Sequence, residues 1–215
     1  MSAPAAPPAS GAARLNLSPP RWVVYVAGML PALWLFGLGF ADQLGADPVK
    51  ALEHGHGLWA LRFLLATLAV TPLRRFTGIN LLRYRRALGL LAFYYAALHF
   101  AVYLVFDRGL DGAAILRDVA KRPYITIGLA SLLILAPLAA TSTNGMIRRL
   151  GGQRWARLHR LAYVAAIAAV LHFVLLVKSW PLEPLVYAAI CVALLALRLV
   201  PRSERRKERK AVPAA

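Results

Sequence analysis

Hydrophobic and polar residues along this chain separate into six apolar runs joined by short polar connections. A helix needs about 20 mainly apolar residues to cross the hydrocarbon core of a bilayer, and the runs approach or reach that length. Membrane-spanning helices are therefore predicted at 22–41, 57–73, 87–106, 124–140, 158–177 and 185–199. Arg62 interrupts the second run. The fold class that follows is all-α, a polytopic membrane bundle of six transmembrane helices.

Composition supports the membrane interpretation. Hydrophobic residues make up 60% of the chain and the mean hydropathy is +0.58, an apolar surplus that needs lipid to cover it. The formal net charge of +17 comes from short basic clusters that lie between the apolar runs. This arrangement is typical of polytopic membrane proteins, so we expect membrane lipid and no nucleic acid as a partner.

The distribution of charge predicts the topology. If both termini are cytoplasmic, most of the 26 Lys and Arg residues fall on the cytoplasmic side and most of the nine acids on the other. We expect a disordered lead rich in Ala and Pro at 1–20, one six-helix domain at 21–200, and a basic cytoplasmic tail at 201–215 near anionic lipid headgroups.

Two histidines lie deep in the third and fifth apolar runs. His99 is roughly 12 Å along the helix from Asp107, and His172 is roughly 9 Å from Lys178. Both runs cross in the same direction, so the two imidazoles are expected at similar depth. Ionisable residues inside a membrane generally mark a functional site, and two facing imidazoles would bind the iron of a b-type haem. The alternative is two unrelated polar residues in interhelical hydrogen bonds.

Arg62 and His159 are further candidates. Arg62 lies about 8 Å below the outer end of its helix, where its guanidinium would pair with a haem propionate or extend to the lipid headgroups. His159 precedes His172 by 13 residues and lies roughly 140° away around an ideal helix. The residues of the third run at the depth of His159 are Arg85 and Arg86, which do not ligate iron because arginine stays protonated. We therefore favour a ligand or redox role for His159 with a different partner, against a hydrogen bond at the helix interface.

The remaining histidines and the absence of several catalytic motifs narrow the range of possible functions. His54 and His56 are expected to be solvated in a polar loop at 42–56. The chain carries no Gly-rich nucleotide fingerprint, no CxxC motif and no convincing Ser-His-Asp arrangement. A haem protein of this kind is expected to conduct electrons together with partners, and whether it is itself an enzyme stays open.

Several short motifs follow one another in order. They are Thr71-Pro72-Leu73-Arg74-Arg75, Arg85-Arg86-x-Leu88-Gly89, Leu98-His99, Lys121-Arg122-Pro123-Tyr124-Ile125-Thr126, Thr141-Ser142, Leu150-Gly151, Trp155-x-x-Leu158-His159-Arg160-Leu161-x-Tyr163 and His172. Together they resemble the MsrQ (YedZ) family over roughly 20–200. The wider group is the ferric-reductase-like transmembrane domain, which also occurs in NADPH oxidases.

The resemblance implies a haem-binding subunit of a methionine sulfoxide reductase system in the bacterial inner membrane. Such a subunit takes electrons from the quinone pool and passes them to a periplasmic molybdenum-cofactor subunit, MsrP, in a heterodimer. MsrP in turn reduces methionine sulfoxide in periplasmic proteins. The resemblance also implies haem b, with His99, His159 and His172 as the haem-associated histidines, and it adds FMN without placing it on residues.

Two other functions compete with this one. A stand-alone metal or flavin reductase of the ferric-reductase group would show activity without a partner subunit. A haem-free transporter would use the buried histidines to relay protons, and it would be colourless when purified from haem-sufficient cells.

Overall fold

The computed structural model describes residues 19–176 and 181–199, and every regular element among them is helical. Only residues 19 and 20 of the predicted lead belong to this described part. The predicted basic tail at 201–215 and the predicted end of the fifth span at 177 lie outside it. The lead, the tail and the division into domains stay predictions.

Nine α-helices follow one another along the described residues. They are α1 (Arg21–Phe40), α2 (Pro48–Thr77), α3 (Arg85–Val102), α4 (Gly112–Lys121), α5 (Pro123–Ala140), α6 (Asn144–Leu150), α7 (Gly152–Leu158), α8 (Leu161–Leu176) and α9 (Leu182–Leu199). A 3-10 turn (Leu82–Tyr84) leads into α3, and a π turn (Tyr103–Asp107) extends it.

Six stretches of the described residues are long and apolar enough to cross a membrane. They are α1, α2, α3 with its two flanking turns, α5, α7 together with α8, and α9. The prediction of an all-α bundle with six transmembrane helices is therefore confirmed. The side of the membrane on which the termini lie stays a prediction.

The second span begins earlier than its hydropathy indicates. Asp47 caps α2, because its carboxylate accepts a hydrogen bond from the backbone N–H of Lys50 at 3.0 Å, and Pro48 occupies the first turn. The predicted polar loop at 42–56 is wrong from residue 48 onward, since this part is helical. His54 and His56 consequently lie on α2 and not in a loop.

The bundle has two chemically different ends. One end, called the acidic end because it carries most of the Asp and Glu residues of the chain, holds the connection from α1 to α2 and the segment 103–122, including α4. The basic end carries the 3-10 turn before α3, together with α6 and α7. α4 begins at Asp111, whose carboxylate accepts from the backbone N–H groups of Ala113 and Ala114. The connection between α3 and α5 therefore contains a helix that lies at the acidic end.

In the core, leucines of α2 pack against residues of α3, α5, α8 and α9, several of which are small. Leu68 of α2, Ala92 of α3 and Ala165 of α8 are fully buried, and Cys191 of α9 is 3% exposed. Small residues at helix interfaces let the backbones approach closely in a membrane. Leu33 and other large apolar side chains point away from this core, as expected for surfaces in contact with lipid.

Tyr95 of α3 links this helix to α1 by two hydrogen bonds. The buried hydroxyl of Tyr95 donates to the carbonyl of Gly28 at 2.7 Å and accepts from the backbone N–H of Ala32 at 2.9 Å. It therefore bridges a donor and an acceptor of α1 that are four residues apart, next to Pro31. Gly28 also lies so close to the side chain of Leu91 that no Cβ would fit there unless Leu91 moved.

Candidate functional site

His99 of α3 and His172 of α8 face each other inside the bundle. Their ring centroids are 6.0 Å apart, and the ring planes are 75° from parallel. Both helices approach the acidic end at this point, so the two predicted residues lie at similar depth. The structure brings these two histidines together at one site.

Each of the two imidazoles is held by a backbone carbonyl of a neighbouring helix. Nδ1 of His99 is 2.8 Å from the carbonyl oxygen of Glu53 on α2, and Nδ1 of His172 is 2.7 Å from that of Tyr124 on α5. A carbonyl oxygen only accepts hydrogen bonds, so Nδ1 must be the protonated nitrogen in both rings. The Nε2 lone pairs are then left free to bind a metal, and the carbonyls fix the ring orientations.

The two histidines line a cavity of about 530 Å³ between α2, α3, α4, α5 and α8. Most of its wall is apolar, with Leu61, Ala96, Leu132 and Phe173 among the lining residues. Among the described residues, no group of three or more His, Cys, Asp and Glu side chains could hold a metal ion. A histidine pair in an apolar cavity therefore fits a metal whose remaining ligands come with a large flat organic group.

Cations line the same cavity at the acidic end. Lys50, Arg108 and Arg122 contribute to its wall there, together with the carboxylates of Glu53 and Asp107. Ligand carboxylates at this end of the cavity would therefore meet positive side chains.

An ion-pair network joins these cations to the acidic end of the bundle. Lys50 Nζ lies 2.9 Å from Glu53 and 3.0 Å from Asp107. Arg108 Nε lies 3.1 Å from Asp107 and 2.7 Å from Asp118, and Arg122 Nε lies 3.3 Å from Asp118. Although burial acts against its charged form, the neighbouring carboxylates and the Tyr103 hydroxyl raise the pKa of Arg108. The cations of the wall are therefore held in place by neighbouring carboxylates.

Arg62 lies apart from the cavity. Its Nε donates to the hydroxyl of Tyr187 on α9 at 2.8 Å, and its guanidinium carbon lies 5.0 Å from the ring centroid of Trp59. The side chain is exposed and does not line the cavity. The propionate contact of Arg62 stays a prediction that this placement does not support.

His159 lies at the basic end, where a break separates α7 from α8. Its ring stacks on Trp155 with centroids 3.8 Å apart, its Nδ1 is 3.1 Å from the carbonyl oxygen of Trp155, and its Nε2 is 3.3 Å from Ser142 Oγ. Arg85 is close enough to act on it electrostatically. The structure does not bring His159 to the cavity of His99 and His172.

The two histidines that were expected in a loop have separate environments on α2. His54 lines the cavity, and its Nε2 is 3.7 Å from a carboxylate oxygen of Glu183. His56 is fully buried, with Nδ1 2.7 Å from the carbonyl oxygen of Leu52, so its predicted solvation is wrong. The Asp47-Pro48 dipeptide was the sequence signal that could have placed both on a helix.

Comparison with known proteins supplies the family context. Residues 56–181 match the family model described as "Ferric reductase like transmembrane component". Relatives from Brucella ovis, Brucella canis and Brucella abortus are each 60% identical to this chain over 178 residues, which is 83% of this chain and 80% of each relative. Each of these relatives is named "Protein-methionine-sulfoxide reductase heme-binding subunit MsrQ".

Proposed function

This chain belongs to the ferric reductase like transmembrane family and within it to the MsrQ group, and we propose that it is a haem-binding electron-transfer subunit. The observation that carries the proposal is the His99–His172 pair, with centroids 6.0 Å apart and each Nδ1 bound to a backbone carbonyl. Metal–imidazole bonds are about 2 Å long, so two Nε2 atoms that share one metal lie no more than about 4 Å apart. Ring centroids at 6.0 Å are compatible with that separation.

The residues of the cavity fit haem b. His99 and His172 would hold the iron, and the apolar wall would exclude water from it. Lys50, Arg108 and Arg122 would meet the propionates at the acidic end. Bound haem supplies one-electron exchange at its iron. The protein contributes the two ligands, their orientation, the dry surroundings and the compensating charge.

The asymmetry of the bundle gives the proposed direction. Short basic connections favour the cytoplasmic side of a membrane, so the basic end would be cytoplasmic and the acidic end periplasmic. The histidine pair lies near the acidic end, within reach of a periplasmic partner. We propose that quinol in the bacterial inner membrane donates the electrons and that an MsrP-like molybdenum-cofactor subunit accepts them. Reduction of methionine sulfoxide would then occur in that partner.

The basic end offers a separate set of polar groups around His159. Arg85, Arg86 and Arg198 are among the arginines at this end, and none of these three lines the cavity of the histidine pair. FMN, which the family resemblance adds, would find cations for its phosphate there. His159 would serve at the same end as a second ligand or redox-site residue.

Absorption spectra of the purified protein test the haem proposal. Wild-type protein from haem-sufficient cells is expected to show a low-spin b-type spectrum, and His99→Ala and His172→Ala are expected to abolish it. His54→Ala is a matched control, because His54 lines the same cavity but its side chain is 47% exposed. Unchanged haem content in both ligand variants would contradict the proposal, and a colourless wild-type protein would favour the proton-relay alternative.

Reduction experiments test the proposed electron path. Quinol is expected to reduce the haem, and the periplasmic partner with methionine sulfoxide is expected to reoxidise it. Sustained reduction of ferric chelates or free flavin without any partner would instead support a stand-alone reductase.

A further inference from the structure

The surroundings of the two facing histidines repeat a single local arrangement. Nδ1 of His99 meets the carbonyl of Glu53, and four residues later on the same helix stands Gly57. Nδ1 of His172 meets the carbonyl of Tyr124, and four residues later stands Gly128. Residues four apart lie on the same helix face one turn from each other. Each imidazole therefore lies against a carbonyl and a glycine of its neighbouring helix.

The glycines leave the space that the imidazoles occupy. A Cβ at Gly57 would lie 3.1 Å from His99 Nδ1, and a Cβ at Gly128 would lie 2.7 Å from His172 Nδ1. The second distance is shorter than van der Waals contact allows, and the first is tight. Any other residue at these positions would press on the nitrogen that donates the hydrogen bond.

The helical register explains why a glycine is needed four residues after the carbonyl. A helical side chain covers the surface over the turn that precedes its own Cα, which is where the carbonyl four residues earlier lies. Without a side chain at residues 57 and 128, the carbonyls of Glu53 and Tyr124 stay accessible to an imidazole from outside the helix. Glycine is otherwise unfavourable inside a helix relative to alanine.

We propose that Gly57 and Gly128 are positioning residues that fix the two imidazoles through the Nδ1 hydrogen bonds and so set the affinity and reduction potential of the metal site. This inference rests on the proposed binding of haem by His99 and His172. Partners of the ligand nitrogens orient the rings and raise their basicity, and losing such a partner generally weakens metal affinity by about 10-fold to 100-fold.

The test compares glycine-to-alanine variants of the full chain purified in detergent. Gly128→Ala is expected to weaken haem retention by about 10-fold or more, and Gly57→Ala to weaken it less, because the clash at 128 is closer. Both are expected to alter the low-spin electron paramagnetic resonance signal, whose anisotropy depends on the angle between the imidazole planes.

Two further glycines serve as controls. Gly37→Ala meets no atom within 4 Å and should leave the haem unchanged. Gly28→Ala crowds Leu91, away from both histidines, so it should lower thermal stability without changing the resonance signal of the haem that remains bound. This second control separates general packing damage from displacement of a ligand.

The outcomes are distinct. If Gly128→Ala and Gly57→Ala both match Gly28→Ala or Gly37→Ala in haem retention and in the resonance signal, the positioning role is overturned. If Gly128→Ala does not accumulate, Gly57→Ala alone decides by the same comparison. A wild-type protein without haem would instead refute the proposed function, before any glycine variant is compared.

Discussion

Asp118 holds helix α4 against the cavity of the histidine pair, so a change at this residue should loosen α4. It is 8% exposed and lies on α4, and its carboxylate accepts from the Tyr103 hydroxyl at 2.9 Å. It also pairs with Arg108 at 2.7 Å and with Arg122 at 3.3 Å. Ile115 of the same helix lines the cavity. The carboxylate of Asp118 therefore attaches α4 across the acidic end of the site.

The change Asp118→Asn keeps the size of the side chain but removes its charge. Breaking a fully buried ion pair costs about 3–5 kcal/mol, and we take a smaller value, about 2 kcal/mol, because Arg108 and Arg122 keep some contact with water. Tyr103 would still find a carbonyl acceptor in the amide. Since about 1.4 kcal/mol corresponds to tenfold in an equilibrium constant, α4 should open about 30-fold more often.

Hydrogen exchange of the α4 amides measures that opening. Asp111→Asn is a matched control on the same helix, because asparagine caps a helix about as well as aspartate. Asp118→Asn should accelerate exchange over 112–121 by about 30-fold and increase haem loss, whereas Asp111→Asn should change neither. Equal exchange rates in the two variants would refute the view that the Asp118 ion pairs hold α4 over the cavity.

Two other substitutions test separate parts of the structure. Tyr95→Phe leaves the N–H of Ala32 and the carbonyl of Gly28 without their shared hydroxyl. We expect a loss of about 2 kcal/mol in folding stability and a fall of about 4–8 °C in the melting temperature measured in detergent. An unchanged melting temperature would refute this. Arg62→Gln removes a contact with Tyr187 outside the cavity, so haem content should be unchanged; a substantial loss of haem would restore the propionate role of Arg62.

Hydropathy predicted the number of spans well because apolar length is a local property of the chain. It failed at the start of α2, where Lys50, Glu53 and His54 lower the hydropathy of residues that are nonetheless helical. Helix boundaries of this kind depend on capping, and Asp47 followed by Pro48 carries that signal more clearly than hydropathy does.

The candidate site was only partly accessible from the sequence. Depth along two helices placed His99 and His172 together, since depth follows from counting residues. The hydrogen-bond acceptors of their Nδ1 atoms could not be identified by counting residues, because these acceptors are backbone carbonyls with no side-chain signature. The propionate role considered for Arg62, beside a contact with the lipid headgroups, rested on depth alone, whereas the structure turns this side chain toward Tyr187.

The same carbonyls indicate how the site is divided between the helices. Closely packed α2 and α3 contribute the first histidine together with the carbonyl of Glu53, and closely packed α5 and α8 contribute the second together with that of Tyr124. The orientation of each imidazole is thus fixed within one helix pair, whereas the 6.0 Å between the rings depends on how the two pairs pack together. A change at Gly57 or Gly128 should therefore disturb one ligand at a time. A change in the packing between the pairs should alter the spacing of both ligands.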